Sequence, residues 1–204
     1  MKDGGKIRDD GDGNPARRRR GRPLTAARLE KAALAYLQRF ATSKANFRQV
    51  MMRRVTRSAR LHGTDPEEGA EWVDALIDRY ESAGLLDDKS FAEARVQTLR
   101  ARGGSARAIR AKLAAKGVPA PLVERALAAA AKDGPGGGGD ADLAAAMAYA
   151  RRRRLGPWRA AEARAERRER DLAALARAGF GYDLARRVID APDTAAAEAL
   201  LDET

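Results

Sequence analysis

The chain has 204 residues, a formal net charge of +11 and no cysteine; hydrophobic residues make up 44% of it, largely alanine, and aromatic residues only 5%. Disulfides, thiolate catalysis and cysteine-based zinc sites are thereby excluded, and the composition fits a reducing cytosol. Small apolar side chains favour closely packed helices over a β-sandwich, and the excess of basic residues selects an acidic partner such as nucleic acid or a nucleoprotein surface.

Residues 1–23 read as a disordered basic tail whose "ARRRRGRP" offers salt-sensitive, sequence-independent affinity for DNA. It lacks the apolar centre of a secretory signal, and no apolar run in the chain is long enough to span a bilayer. Residues 24–83 read as a first three-helix unit. Thr25 caps a helix running to about Phe40, and Ser43 caps a second with Phe47, Val50, Met51 and Val55 inward. In "TDPEE", Asp65 is the N-cap of a third helix, Pro66 its first residue, and Glu67 and Glu68 face its positive end. Trp72, Val73, Leu76, Ile77 and Tyr80 then form one apolar stripe, opposite an acidic face.

The second unit, residues 84–132, begins at "GLLDDKSF". Gly84 suits a left-handed helix end and Asp87 the next N-cap, with Leu86 and Phe91 at the positions of a hydrophobic staple. Asp87 and Asp88 accordingly satisfy helix amides; no histidine, cysteine or second carboxylate pair stands nearby to complete an acid-base site. A helix to about Arg102, a "GGS" break with Gly103, a helix from Ser105 to Lys116, Gly117, and a proline-headed helix carrying Leu122, Val123, Ala126 and Leu127 follow. Residues 133–140 are a glycine-rich linker. The third unit, residues 141–192, holds helices at about 141–155, 157–178 and 182–189, and residues 193–204 read as a C-terminal tail.

"SKANFRQVM", "SARAIRAKL" and "FGYDLARRV" each place apolar residues at their fifth and ninth positions, a degenerate repeat at the interval of a three-helix unit. The expected fold is all-α: an elongated, curved array of three tandem three-helix, helix-turn-helix-like repeats. Charge is segregated along it. Residues 39–60 and 95–116 contain basic residues and no acidic one, whereas residues 67–93 are strongly acidic. The expected partner-binding surface is therefore Arg95, Arg100, Arg102, Arg107, Arg110, Lys112 and Lys116, with Arg48, Arg53, Arg54 and Arg57 as its counterpart in the first unit. The run Arg151 to Arg154 is balanced by Glu162, Glu166 and Glu169 and suits solubility as well as binding. Phe47, Trp72, Tyr80 and Phe91 read as core. His62 is the only histidine and has no ligands beside it, so no metal, cofactor or catalytic residue is expected.

Over residues 72–127 the chain resembles the RecX family, bacterial regulators of the RecA recombinase. The resemblance rests on an ordered set: Gly84, then Leu86, Asp87, Asp88 and Phe91, the Arg102–Gly103 break, the basic helix, and the turn Lys116, Gly117, Val118. The chain departs from the family pattern in "SKANFRQVMM", where an acidic residue usually follows the serine, and in the Arg- and Glu-rich stretch after "GPW". The resemblance implies a modular nine-helix protein lodged in the groove of the RecA filament on DNA. It implies a monomeric cytoplasmic regulator that bridges filament subunits and mostly inhibits ATP hydrolysis, strand exchange and co-protease activity, with no chemistry of its own. The other reading, carried by charge alone, is a basic helical protein that binds DNA directly, single- or double-stranded, as an architectural factor; it lacks an evident recognition helix with base-reading Asn or Gln side chains.

Overall fold

The computed structural model describes residues 22–132 and 141–202; most of the expected basic tail and all of the glycine-rich linker lie outside these residues. Among them there are ten α-helices and no strand. The first module contains α1 (Ala26–Leu37), α2 (Lys44–His62) and α3 (Pro66–Ser82). The second contains α4 (Asp88–Ala101), α5 (Ala106–Ala114) and α6 (Ala120–Lys132). The third contains α7 (Ala141–Arg153), α8 (Arg164–Arg177), α9 (Tyr182–Ile189) and α10 (Thr194–Ala199).

Short polar side chains start the helices where the sequence placed them. Thr25, Ser43, Asp65, Asp87 and Ser105 accept hydrogen bonds from first-turn amides of α1 to α5, each cap stabilising its helix by about 1 kcal/mol. Three separate cores result. Leu29, Phe47, Met51, Val55, Val73 and Tyr80 fill the first, Val96, Leu99, Ile109, Leu113 and Val123 the second, and Leu143, Leu155, Leu172, Leu175, Phe180 and Val188 the third. A fully buried aliphatic or aromatic side chain contributes about 1.5–3 kcal/mol, so each module has a core of its own. The tandem three-helix plan is thus present as three clusters with disjoint membership.

Four local expectations are corrected. Leu86 does not staple onto Phe91: it is buried in the first core, while Phe91 is only half-buried at the edge of the second. The stretch expected as one helix from 157 to 178 begins with two short 3-10 turns, Gly156–Trp158 and Ala161–Ala163. Arg159 and Ala160 are extended between them, because Asp171 draws the segment back onto α8. Its carboxylate, 2% exposed, accepts from the Gly156 amide at 2.9 Å and from Arg159 Nε and Nη2 at 3.1 and 2.8 Å. The expected tail at 193–204 contains α10, capped by Asp193, with Ala197 buried.

The fourth correction concerns the repeat. Ser43 and Ser105 do head equivalent helices, but "FGYDLARRV" matches the third helix of the second module. After Gly117 and Gly179, both at positive φ (68° and 92°), the buried positions Val118, Val123, Ala126 and Leu127 recur in order as Phe180, Ala185, Val188 and Ile189. The counterpart of α5 in the third module is therefore α8, whose Arg- and Glu-rich outer face hides the periodicity.

Candidate functional site

Two junctions of the same design hold the modules together, and both are built on helix N-termini, where backbone amides lack helical partners. At the first, Ser43 Oγ accepts from the Asn46 amide at 3.2 Å and donates to the carbonyl of Lys116 in the second module. The Lys44 amide donates to Asp88 Oδ1 at 2.8 Å. At the second, Ser105 Oγ accepts from the Ala108 amide at 3.1 Å and donates to the Ala178 carbonyl at 2.7 Å, and the Ala106 amide donates to Asp142 Oδ1 at 2.9 Å. A Cβ on Gly117 would lie 2.4 Å from Ala45 Cβ, and one on Gly179 2.6 Å from Ser105 Oγ, closer than any side chain tolerates. The glycines are therefore needed for the approach itself and for its left-handed turn.

The aspartates extend the family-like motif across the modules. Asp87 caps its own helix, accepting from the Lys89 amide at 2.9 Å and from Ser90 Oγ at 2.5 Å; that hydroxyl holds its carboxyl below the usual carboxylate range. Asp88, 7% exposed, instead completes the first turn of α2 in the neighbouring module. Lys44 also pairs with Glu81 at 2.6 Å, which raises its pKa. Gly84 makes the turn after α3 at φ 70°, with the Leu85 and Leu86 amides both on the Tyr80 carbonyl.

The basic residues expected to form one surface on the second module divide into several groups. Arg100 is a junction residue: its guanidinium donates to Asp142 Oδ1 and to the carbonyls of Gly104 and Ala141 at 3.2 and 3.4 Å, leaving its side chain 15% exposed. Arg110 makes a two-pronged pair with Glu124 at 2.8 Å on both arms, which raises the arginine and lowers the glutamate pKa. Lys116 Nζ reaches Asn46 Oδ1 at 3.1 Å. Arg95, Lys112 and Lys116 line one groove, together with residues of the first module. Arg102 and Arg107 are exposed, and with Arg95 and Lys112 they make no ion pair among the described residues.

On the first module, Arg48, Arg53 and Arg57 share a furrow of about 700 Å³ along α2, joined there by Arg60. Arg48 is held by Asp74 through contacts of 2.7 and 3.0 Å, which depress the aspartate's pKa. Arg54 lines a different groove, with Arg28, Lys31 and Arg39. Among the described residues no cluster of His, Asp and Glu could hold a metal, and no helix is long and apolar enough to cross a membrane. The arrangement leaves Arg53, Arg57, Arg60, Arg95, Arg102, Arg107 and Lys112 exposed along the first two modules.

The description "RecX, second three-helix domain" matches residues 87–127, the stretch containing Asp87, Asp88, Phe91, Gly103 and Gly117. A Regulatory protein RecX from Myxococcus xanthus is 41% identical over 188 residues, which cover 89% of this chain and 97% of that protein. The chain belongs to the RecX family. Regulatory protein RecX from two Thermus thermophilus strains is 39% and 38% identical over 95 residues, 47% of this chain. These names are those of a regulator and not of an enzyme. No solved structure matches the chain.

Sequence reasoning missed Arg60 as part of the α2 furrow, Asp142 as the second junction's acceptor, and Phe40 and Leu85 as exposed apolar residues at 54% each. The aligned breaks "RFATS" and "ARGGS" carried a signal for the last: one unit has Phe and Ala where the other has Arg and Gly.

Proposed function

We propose that this RecX-family protein is a monomeric, cytoplasmic, non-enzymatic regulator that binds in the groove of the RecA–DNA filament and mostly inhibits its recombinase, ATPase and co-protease activities, so regulating DNA repair and recombination. One observation carries the reading: repeated junctions hold the modules in a set order while Arg53, Arg57, Arg60, Arg95, Arg102, Arg107 and Lys112 stay exposed on successive modules. Cations spaced along a rigid array engage several acidic sites of a repeating filament at once, so modest contacts add through avidity.

The test is single-stranded-DNA-dependent ATP hydrolysis by the cognate RecA, titrated with the protein. Inhibition well below stoichiometry is expected, and Arg53→Glu with Arg107→Glu should weaken it about tenfold or more without altering the thermal melt. Undiminished hydrolysis at saturating protein would overturn the reading. Direct DNA binding is favoured as a second reading by the α2 furrow, where Arg53, Arg57 and Arg60 have no acidic partner among the described residues. It predicts equal affinity for naked DNA and filament and a steep fall with salt.

A further inference from the structure

A groove of about 770 Å³ opens between the first and second modules. Tyr36, Phe40, Leu85 and Phe91 give it apolar walls, and Phe40 and Leu85 are each 54% exposed although both are large and hydrophobic. Tyr36 and Phe40 rest on each other, ring centroids 5.1 Å apart, as a ridge. Arg95, Lys112 and Lys116 line the same groove. Across the ridge, Arg28, Lys31, Arg39 and Arg54 line a second, smaller one of about 410 Å³ that shares Tyr36 and Phe40. The one carboxylate of the larger groove, Asp87, is occupied by Ser90 and the Lys89 amide.

Exposed apolar surface costs solubility and is retained where something covers it. The second junction shows what a closed version of this interface looks like. There the break after α4 is Arg102, Gly103 and Gly104, and a Cβ on Gly103 would lie 2.5 Å from the Tyr149 amide of α7. In the first junction the same place holds Phe40, Ala41 and Thr42, and Phe40 and Ala41 are exposed beside α4.

We propose that this groove is a docking site for an acidic protein segment carrying a bulky apolar side chain, which enters between Phe40, Leu85 and Phe91 while its carboxylates meet Arg95, Lys112 and Lys116. The proposal goes beyond the filament reading and stands without it, because it depends on the groove's chemistry alone. A basic segment is repelled. A nucleic-acid strand fits less well, since it carries no apolar side chain to cover Leu85, which offers no flat face for a base. Apolar anchors ringed by charge are where binding energy concentrates at protein interfaces.

The experiment is fluorescence anisotropy of the full-length protein with a labelled synthetic peptide in which aspartates flank a central phenylalanine, beside the same peptide with serine at the centre. The phenylalanine peptide should bind about tenfold or more tightly than the serine peptide, and Leu85→Ser and Lys112→Glu should each weaken it about tenfold. Both residues are exposed, so both variants should melt like the parent. Equal binding of the two peptides, or none, overturns the proposal. So does oligothymidine binding that Leu85→Ser weakens as much, which would make the groove a nucleic-acid site, and so does self-association abolished by Leu85→Ser, which would make the occupant a second copy. Running RecA-dependent ATP hydrolysis on the parent protein separates the two readings: no peptide binding with intact inhibition fails the groove alone.

Discussion

The two junctions use the same serine, the same aspartate and the same glycine, yet one is closed and the other open. At the second, the turn after α4 lies against the α7 backbone and Arg100 is folded into the contact through Asp142. At the first, the equivalent turn after α1 stands beside a groove, and among the described residues the only cation reaching across by side chain is Lys116, which meets a neutral amide oxygen. Hydrogen bonds thus fix the register of neighbouring modules, while the residues of one short break decide how tightly they meet. A repeat array can vary its binding surface at such breaks without altering its connectivity.

Substitutions test that difference. The largest effect is expected from Gly103→Val, which places a branched side chain at φ 72° with its Cβ 2.5 Å from the Tyr149 amide; a loss of about 3 kcal/mol is expected, read as a shifted urea midpoint. Ala41→Val, its counterpart at the open junction, should stay within about 0.5 kcal/mol. Equal shifts would show the two junctions to be packed alike.

Asp142→Ala ranks next. It removes the carboxylate paired with Arg100, leaving a guanidinium whose side chain is 15% exposed with two carbonyl acceptors, and it takes the acceptor from the Ala106 amide, at a cost of about 3 kcal/mol. Asp88→Ala removes an acceptor for one neutral amide and should cost about 1–2 kcal/mol. Denaturation curves that ranked the two the other way would locate the tighter bond at the first junction.

Ser43→Ala and Ser105→Ala probe what the junctions share. Each removes a cap and the donor to a carbonyl of the next module, so losses of about 1–2 kcal/mol of similar size are expected, with faster hydrogen exchange at the Asn46 and Ala108 amides. A large inequality would break the equivalence of the two junctions. Arg110→Ala marks the lower bound: its pair with Glu124 is about half exposed on both sides (51% and 52%), and its loss should stay below about 1 kcal/mol by thermal scan.

Most of what is local was legible in the sequence. The caps at Thr25, Ser43, Asp65 and Asp87 depend on residue type and on the apolar period that follows, and the structure has them where they were expected. What escaped was set by partners far along the chain. Leu86 sits where a staple would place it, yet the first core takes it. Asp88 looks like a second cap, yet its acceptor role is filled by an amide 44 positions away. Residues 95–116 look like one cationic face because sequence shows their sign and not their partners; Asp142, Glu124 and Asn46 each claim one of its members. The third module was misaligned because the outward Arg and Glu residues of α8 obscure its buried Leu172 and Leu175.

Each inter-module serine bond points forward along the chain, and each spans 73 residues. Because synthesis runs from the N-terminus at about 5–20 residues per second, the acceptor for Ser43 is made about 4–15 s after its donor, and the acceptor for Ser105 trails by the same interval. During that lag the front face of each newly made module is exposed to the cell without its neighbour. Assembly is therefore timed by translation, module by module, and a ribosome that stalled between the two halves of a junction would hold out a folded unit with an open end.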